Sequence, residues 1–202
     1  VELAEVPVPL CKSGGILVRN LYSAISVGTE RLMIETGRSN LLKKAKARPD
    51  LVKKVIDKLK TEGLIETYRA VMGRLDEPIP LGYSCCGEVV EVGSKVTGFK
   101  QGDIVSCFGS RYASHAEYVW VPKNLAVKVP QGVSPLEASL AGIAAISLHS
   151  IRLSGCSLGD LVVVYGLGLL GLIAVQILKA GGSRVVGIDI DPEKLDIAKD
   201  LG

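Results

Sequence analysis

The pattern of apolar and polar residues divides the chain into four stretches. Up to about residue 30 it predicts strand, with Ile16–Tyr22 after the turn signal Ser13-Gly14-Gly15. Residues 38 to 75 predict helices instead, because apolar residues recur at helical spacing among seven lysines. From residue 82 to 130, short alternating runs separated by turns predict a small antiparallel β-barrel.

The fourth stretch begins at residue 134 and predicts helix alternating with strand. Ser134–Leu153 reads as one helix, with a capping serine, a first-turn proline and a glutamate at the capping-box position. Leu161–Tyr165 is a continuous apolar run, the kind of strand that is buried on both faces. A helix to Ala180, a second strand over Arg184–Ile190 and a new helix from Asp191 follow. This is one β-α-β unit, the start of a doubly wound sheet that needs further strands.

A glycine-rich loop joins the first of these strands to its helix. Its pattern is G-x-G-x-x-G, formed by Gly166, Leu167, Gly168, Leu169, Leu170 and Gly171. Asp189 ends the next strand, where a carboxylate can accept hydrogen bonds from an adenosine ribose and repel a 2′-phosphate. The sequence therefore predicts a dinucleotide site that prefers NAD to NADP. The alternative is a glycine turn that serves only to pack the helix on the strand.

Composition excludes several classes of partner and compartment. Charged residues make up 22% of the chain, but the net charge of +3 is too small to indicate nucleic-acid binding. No apolar run reaches the roughly 20 residues of a membrane helix, so we expect no membrane. The five cysteines contain no C-x-x-C pair, which argues against disulfides and a thiolate metal cluster. We expect reduced thiols and a cytoplasmic location.

The combined motifs resemble those of medium-chain dehydrogenases. The likeness rests on the Gly-rich barrel with Gly102–Val105, the loop Gly166–Gly171, and the run from Gly187 to Gly202. The resemblance implies an α/β plus β fold: a GroES-like antiparallel β-barrel domain followed by a truncated Rossmann domain. The expected domains are residues 1–133, with a Lys-rich helical insert at 38–75, and residues 134–202, a linker helix with the first β-α-β unit.

Three further stretches narrow the resemblance. They are Ile25–Glu30, Ala47–Lys54 and Leu75–Ser84. They are similar to the bi-domain oxidoreductases of bacterial surface-polysaccharide gene clusters and, more distantly, to bacteriochlorophyllide dehydrogenases. We therefore expect a covalent continuation with the rest of the Rossmann domain, and an isolated fragment that is inactive.

The resemblance also shows which zinc ligands are replaced. Zinc members carry ligands where this chain has Val27–Glu30 and Gly82–Ser84, and near Gly142–Ile143. Catalytic zinc needs three converging N, S or O ligands, so no metal is expected. Thr29 occupies the position of the family's proton-relay hydroxyl. Tyr83 replaces a zinc histidine, and either polarises a carbonyl oxygen or only fills the vacated metal pocket.

These observations lead to an NAD(H)-dependent oxidoreductase that interconverts an alcohol and a carbonyl without zinc. The substrate is a small molecule, with a sugar or an anionic nucleotide sugar as candidates, and we expect a homo-oligomer. The alternative is a non-catalytic nucleotide-binding or interaction module that retains the fold. The Lys-rich helix has two interpretations: a solvated face, or a basic rim that attracts an anionic substrate.

Overall fold

The computed structural model of the chain describes residues 1–38 and 78–202, which belong to two compact units. The first unit contains Val1–Glu5 and Val27–Pro80, and its described helix is α1 (Val27–Arg38). The strand pattern predicted up to about residue 30 is therefore wrong beyond Ser23. Glu30 lies in the first turn of α1, where a carboxylate is favourable to the helix dipole, and Arg31 pairs with Glu35 one turn apart at 2.8 Å.

The second unit contains residues 6–26 and 81–202 and opens with a five-stranded antiparallel sheet. The spatial order is β4-β1-β2-β3-β5, and a 3₁₀ turn at Lys123–Leu125 precedes the last strand. This sheet confirms the predicted GroES-like barrel architecture. The strands are β1 (Gly15–Ser23), β2 (Ser84–Val92), β3 (Ile104–Phe108), β4 (Tyr118–Pro122) and β5 (Ala126–Lys128).

Small apolar side chains on one face of this sheet form the core of the barrel. Val18 lies opposite Val89 across β1 and β2, and opposite Val119 across β1 and β4. Cys85 and Cys107 are cross-strand neighbours within the same core, and their mutual hydrogen bond together with burial raises the pKa of the Cys107 thiol. The thiols therefore pack as small apolar groups.

Two helices follow the sheet where one was predicted. They are α2 (Pro135–Ala138) and α3 (Ala141–Ser154). The capping box is confirmed: the Ser134 hydroxyl accepts from the Glu137 amide, and the Glu137 carboxylate accepts from the Ser134 amide. The predicted single helix is wrong because the Ser139 carbonyl accepts a buried 2.6 Å hydrogen bond from the Ser84 hydroxyl of β2. That long-range contact holds the chain at the junction between the two helices.

The final stretch is the predicted β-α-β unit with one more helix. Strands β6 (Leu161–Tyr165) and β7 (Arg184–Ile188) are parallel neighbours, joined by α4 (Leu169–Ala180). Helix α5 (Pro192–Asp200) follows, and its N-cap Asp191 accepts from the Glu193 amide. The fold class expected from the sequence is confirmed in both parts.

One expectation about this parallel pair is corrected. Only alternate residues of β6 are shielded, and Leu161, Val163 and Tyr165 are exposed, as are Val186 and Ile188 of β7. The strands were predicted to be buried on both faces. Among the described residues helix α4 packs on one face, and no element covers the other.

Two further expectations meet the structure only in part. The Lys-rich insert predicted at 38–75 lies, beyond its first residue, outside the described residues. Within the described residues, every helix is too short or too polar to cross a bilayer.

We expect Asp103→Asn to destabilise the barrel by roughly 1 kcal/mol at pH 7. The Asp103 carboxylate accepts 2.8 Å bonds from the Lys128 Nζ of β5 and the Lys100 amide, and these bonds lower its pKa. A carboxyl group whose pKa is lowered by folding stabilises the fold at pH values above its unfolded-state pKa. This contribution is lost as the pH falls through its pKa in the native state. Urea unfolding at pH 7 and near pH 2 measures both states.

The difference between the variant and the wild type should therefore vanish at the lower pH. Lys128→Met should reproduce the loss at pH 7, because it removes the other half of the same pair. Equal unfolding free energies for Asp103→Asn and wild type at pH 7 would contradict the assignment.

Candidate functional site

The glycine loop lies at the carboxyl end of β6 and begins α4. Gly166 adopts a φ of +93°, a conformation that favours glycine, and its amide donates to the Ile188 carbonyl of β7. Gly168 is the N-cap of α4, and no side chain caps this helix. Since the first turn of a helix leaves amides without intrahelical partners, this end is open to an anion.

Gly171 and Gly168 differ in how much room the loop leaves for a side chain. A Cβ at Gly171 would collide with the Gly166 carbonyl oxygen, so the helix packs on the loop only with glycine there. Apart from its neighbours in the chain, no described residue has a heavy atom within 4 Å of a Cβ at Gly168. The Gly168 φ of −73° suits any residue. Packing therefore explains Gly171 but not Gly168. An open cradle at Gly168 fits a close-lying pyrophosphate.

Asp189 lies beside this loop, immediately after β7. Its Oδ2 accepts a 2.7 Å bond from the Leu167 amide, and its Oδ1 accepts one of 2.9 Å from the Asp191 amide. The bond from Leu167, then that from Asp191, and the nearby Lys194 lower the pKa of Asp189. The carboxylate is therefore charged at neutral pH. Each of its oxygens has a second lone pair with which it can accept from a ribose hydroxyl.

The side chain of Leu167 anchors the loop. It is fully buried, and a Cβ at Gly187 of β7 would lie 3.0 Å from its Cδ1. The Leu169 and Leu170 side chains are partly exposed at the start of α4. The structure thus brings together the residues predicted for cofactor binding, from Gly166 to Gly171 with Asp189.

One residue near the loop has a role that the motif does not reveal. Ser147 of α3 is buried, and its hydroxyl donates a 2.9 Å bond to the Leu170 carbonyl in the first turn of α4. This bond ties the helix that follows the barrel to the glycine loop. The only signal in the sequence is a hydroxyl residue within an apolar helical stretch, which is weak because many such serines bond to their own helix.

Tyr83 stands immediately before β2 and is half-buried. Its ring meets the ring of Phe108 edge-on, with centroids 5.8 Å apart and planes at 81°, and its carbonyl accepts from the Gly109 amide. Phe108 in turn needs Gly142, where a Cβ would lie 2.5 Å from Phe108 Cδ2 and 2.8 Å from the Ser84 hydroxyl. The Tyr83 ring is therefore held in place by its packing against Phe108.

Thr29 lies in the first unit, in the first turn of α1, and its side chain is exposed. Tyr83 belongs to the second unit. The catalytic roles predicted for Thr29 and Tyr83 remain proposals.

At two of the family's zinc positions this chain has residues that differ from the usual zinc ligands. A donor at Gly142 would displace Phe108 and Ser84, and Tyr83 replaces a histidine. Among the described residues, no group of three or more His, Cys, Asp or Glu side chains could hold a metal ion. His115 instead bonds through Nδ1 to the Ser23 hydroxyl at 2.8 Å.

Comparisons with known proteins agree with this architecture. Residues 59–131 match the family model described as Alcohol dehydrogenase GroES-like domain. Sorbitol dehydrogenase 1 of Saccharomyces cerevisiae is 32% identical over 156 residues, which cover 63% of this chain and 44% of that enzyme. The chain therefore spans less than half the length of this relative.

Two solved structures share the fold. Galactitol-1-phosphate dehydrogenase from Escherichia coli superposes with a TM-score of 0.73 at 22% identity, over 98% of this chain and 55% of that one. Quinone oxidoreductase from Escherichia coli, solved in complex with NADPH, gives 0.66 at 20% identity, over 100% of this chain and 51% of that one. At these identities the likeness shows the fold alone.

Proposed function

We propose that this chain is part of an NAD(H)-dependent oxidoreductase of the alcohol-dehydrogenase-like medium-chain dehydrogenase family, and that the enzyme interconverts an alcohol and a carbonyl without catalytic zinc. The observation that carries the proposal is the open cradle at Gly168 beside the charged carboxylate of Asp189. Neither packing nor backbone conformation requires glycine at 168. A ligand that approaches the backbone there does.

Different parts of the cofactor would be held by the glycine loop and by the residues beside it. The amides at the start of α4 receive the pyrophosphate, and Asp189 accepts from the adenosine ribose hydroxyls. Ser147 fixes the first turn of α4 through the Leu170 carbonyl. Bound nicotinamide supplies the hydride acceptor or donor.

Two side chains of this chain would act on the substrate oxygen, one by hydrogen bonding and one by proton transfer. The Tyr83 phenol donates a hydrogen bond to the carbonyl oxygen and so stabilises the negative charge that develops on it. The Thr29 hydroxyl relays the proton between that oxygen and solvent. Packing against Phe108 lowers the number of rotamers open to Tyr83, which favours a single donor direction.

The wider assignment concerns the substrate and the organisation of the whole protein. Sorbitol, in the name of the yeast relative, is a polyol, which supports a sugar or sugar-like small molecule as the proposed substrate. The proposed domains are residues 1–133, catalytic, and 134–202, the beginning of the nucleotide-binding domain. We further propose a homo-oligomer in which the rest of that domain continues the chain.

The first test is a fluorescence titration of the intact protein with NADH and, separately, NADPH. We expect NADH to bind at least tenfold more tightly, because a 2′-phosphate would face the ionised Asp189 carboxylate. In Asp189→Asn this preference should shrink to about threefold or less, since the charge is gone while an oxygen remains to accept from the Leu167 amide.

Asp191→Asn is the matched control. Asn also caps helices well, so α5 should persist, and the neighbouring charge is removed while the Asp191 amide that donates to Asp189 is kept. Its NADH preference should stay within about twofold of the wild type. Tighter binding of NADPH by the wild type would overturn the assignment of Asp189, and binding of neither nucleotide would overturn the proposed cofactor site.

A further inference from the structure

A second concave surface lies on the antiparallel sheet, and none of its lining residues belongs to the glycine loop. It is a groove of about 490 Å³ between the chain before β1, the turn after β3, and strand β4. We call it the aromatic groove. Its chemically distinctive side chains are Lys12, Arg111, Tyr112, Ser114, Tyr118 and Trp120.

The aromatic side chains form one wall and are held in place. The rings of Tyr112 and Trp120 meet edge-on with centroids 6.0 Å apart. The Trp120 indole donates to the Lys12 carbonyl at 3.4 Å, and the Lys12 Nζ lies 5.2 Å from the centroid of the indole ring. Tyr112 remains 38% exposed. Rigid, partly exposed rings of this kind bind flat or sugar rings with little loss of side-chain entropy.

The charge of the groove has one sign. None of the described residues that line it is acidic, and within the described part of the chain neither Lys12 nor Arg111 forms an ion pair. Both cations are therefore available to an anion from solution. A guanidinium binds phosphate or carboxylate through two parallel hydrogen bonds.

The backbone places Arg111 in the groove at a cost. Arg111 has a φ of +70°, the left-handed conformation, and is the one residue other than glycine with positive φ in the described chain. The tight turn around it is closed by bonds from the Tyr112 and Ala113 amides to the Gly109 carbonyl. Glycine or asparagine suits this position better, so the fold retains the arginine despite backbone strain.

The loop that carries Arg111 is also anchored to the sheet. The side-chain Nδ2 of Asn20 in β1 donates to the Ser114 carbonyl at 3.2 Å and the Ala116 carbonyl at 2.7 Å. Ala113 and Ser114 are buried. The cation, the rings and the hydroxyl of Ser114 thus lie on a preformed surface rather than on a loose loop.

We propose that the aromatic groove binds a small organic anion in which a phosphate or carboxylate is attached to a ring. The ring packs on Tyr112 and Trp120, and the anionic group bonds to Arg111 and Lys12. The proposal does not depend on the oxidoreductase function, because none of these residues belongs to the glycine loop or to the pair Thr29 and Tyr83.

Trp120 supplies the measurement, since it is the only tryptophan of the 202 residues. The intact protein is titrated with phenyl phosphate, glucose 6-phosphate, inorganic phosphate and glucose, and the change in fluorescence that disappears in Trp120→Phe is followed. At least one of the two ring phosphates should bind about tenfold more tightly than inorganic phosphate or glucose. Whichever ring phosphate binds more tightly identifies an aromatic or a sugar ligand.

Arg111→Gly separates binding from folding. It removes the guanidinium and relieves the left-handed strain, so affinity for the ring phosphate should fall about tenfold while the Tm stays the same or rises. Lys12→Met should also weaken binding, whereas Lys95→Met, at an exposed lysine outside the groove, should not. NADH affinity should be unchanged in Arg111→Gly, which separates this test from that of the cofactor site.

Three results would overturn the proposal. The first is the absence of any saturable change with either ring phosphate. The second is inorganic phosphate binding as tightly as the ring compounds, which would leave a simple anion site. The third is unchanged binding in Arg111→Gly, which would place the ligand elsewhere.

Discussion

Gly168→Ala is expected to lower NADH affinity at least tenfold while leaving the Tm of the intact protein unchanged. The new methyl group has room in the free structure, since no described heavy atom beyond its chain surroundings lies within 4 Å of its position. With cofactor bound, the same methyl would occupy the space where a pyrophosphate meets the amides of α4. Calorimetric titration with NADH and thermal unfolding of the same sample measure the two effects.

Gly171→Ala provides the contrasting result. Its methyl would collide with the Gly166 carbonyl, whose residue is itself held by a bond to Ile188. We expect a loss of about 1–3 kcal/mol in unfolding free energy together with weaker NADH binding. Gly14→Ala, at an open position in the turn before β1, should change neither quantity. If Gly168→Ala bound NADH as tightly as the wild type, the role of Gly168 in pyrophosphate binding, on which the proposed function rests, would be contradicted.

Tyr83→Phe is expected to lower kcat by about 10²-fold or more with little effect on stability. The substitution keeps the ring that packs edge-on against Phe108 and removes only the hydroxyl that would donate to the substrate oxygen. Tyr22→Phe, also on the barrel and half-exposed, is the matched control and should retain wild-type kcat. Turnover is measured by NADH absorbance with a panel of polyols and the matching ketoses.

Thr29→Val tests the second half of the same assignment. Valine has nearly the shape of threonine but no hydroxyl, so kcat should fall by about 10²-fold, and Thr29→Ser should restore most of it. Thr97→Val, which loses only a surface bond from Lys123, controls for the loss of a hydroxyl. If neither Tyr83→Phe nor Thr29→Val lowered the kcat of an active protein, the assignment of these two residues as catalytic would be wrong. NADH binding without turnover of any alcohol or carbonyl would favour a non-catalytic module.

The two candidate sites differ in how far the sequence reveals them. The glycine loop could be read directly, because the spacing of Gly166, Gly168 and Gly171 after an apolar strand reflects contacts within a few residues. The distinct roles of Gly168 and Gly171 could not, since they depend on where the Gly166 carbonyl lies. The bond from the Leu167 amide to Asp189 joins residues 22 apart and likewise required the folded unit.

Elements of the fold show the same division. The capping box at Ser134, the helix start at Asp191 and the apolar strand at Leu161–Tyr165 were predicted correctly, because each depends on its own turn or its own run of side chains. The break after Ala138 was missed. It depends on the Ser84 hydroxyl, 55 residues away, which bonds to the Ser139 carbonyl.

The order of residues was therefore enough to specify the fold class, the glycine loop and the acidic residue beside it, since local spacing encodes all three. Folding decided which glycines are required by packing and that Gly142 makes room for Phe108 beneath Tyr83. It also gathered Lys12, Arg111 and Trp120 around one groove. The reason is physical: steric fit and charge clustering arise between segments that are distant in the chain, and periodicity within one segment carries no information about them.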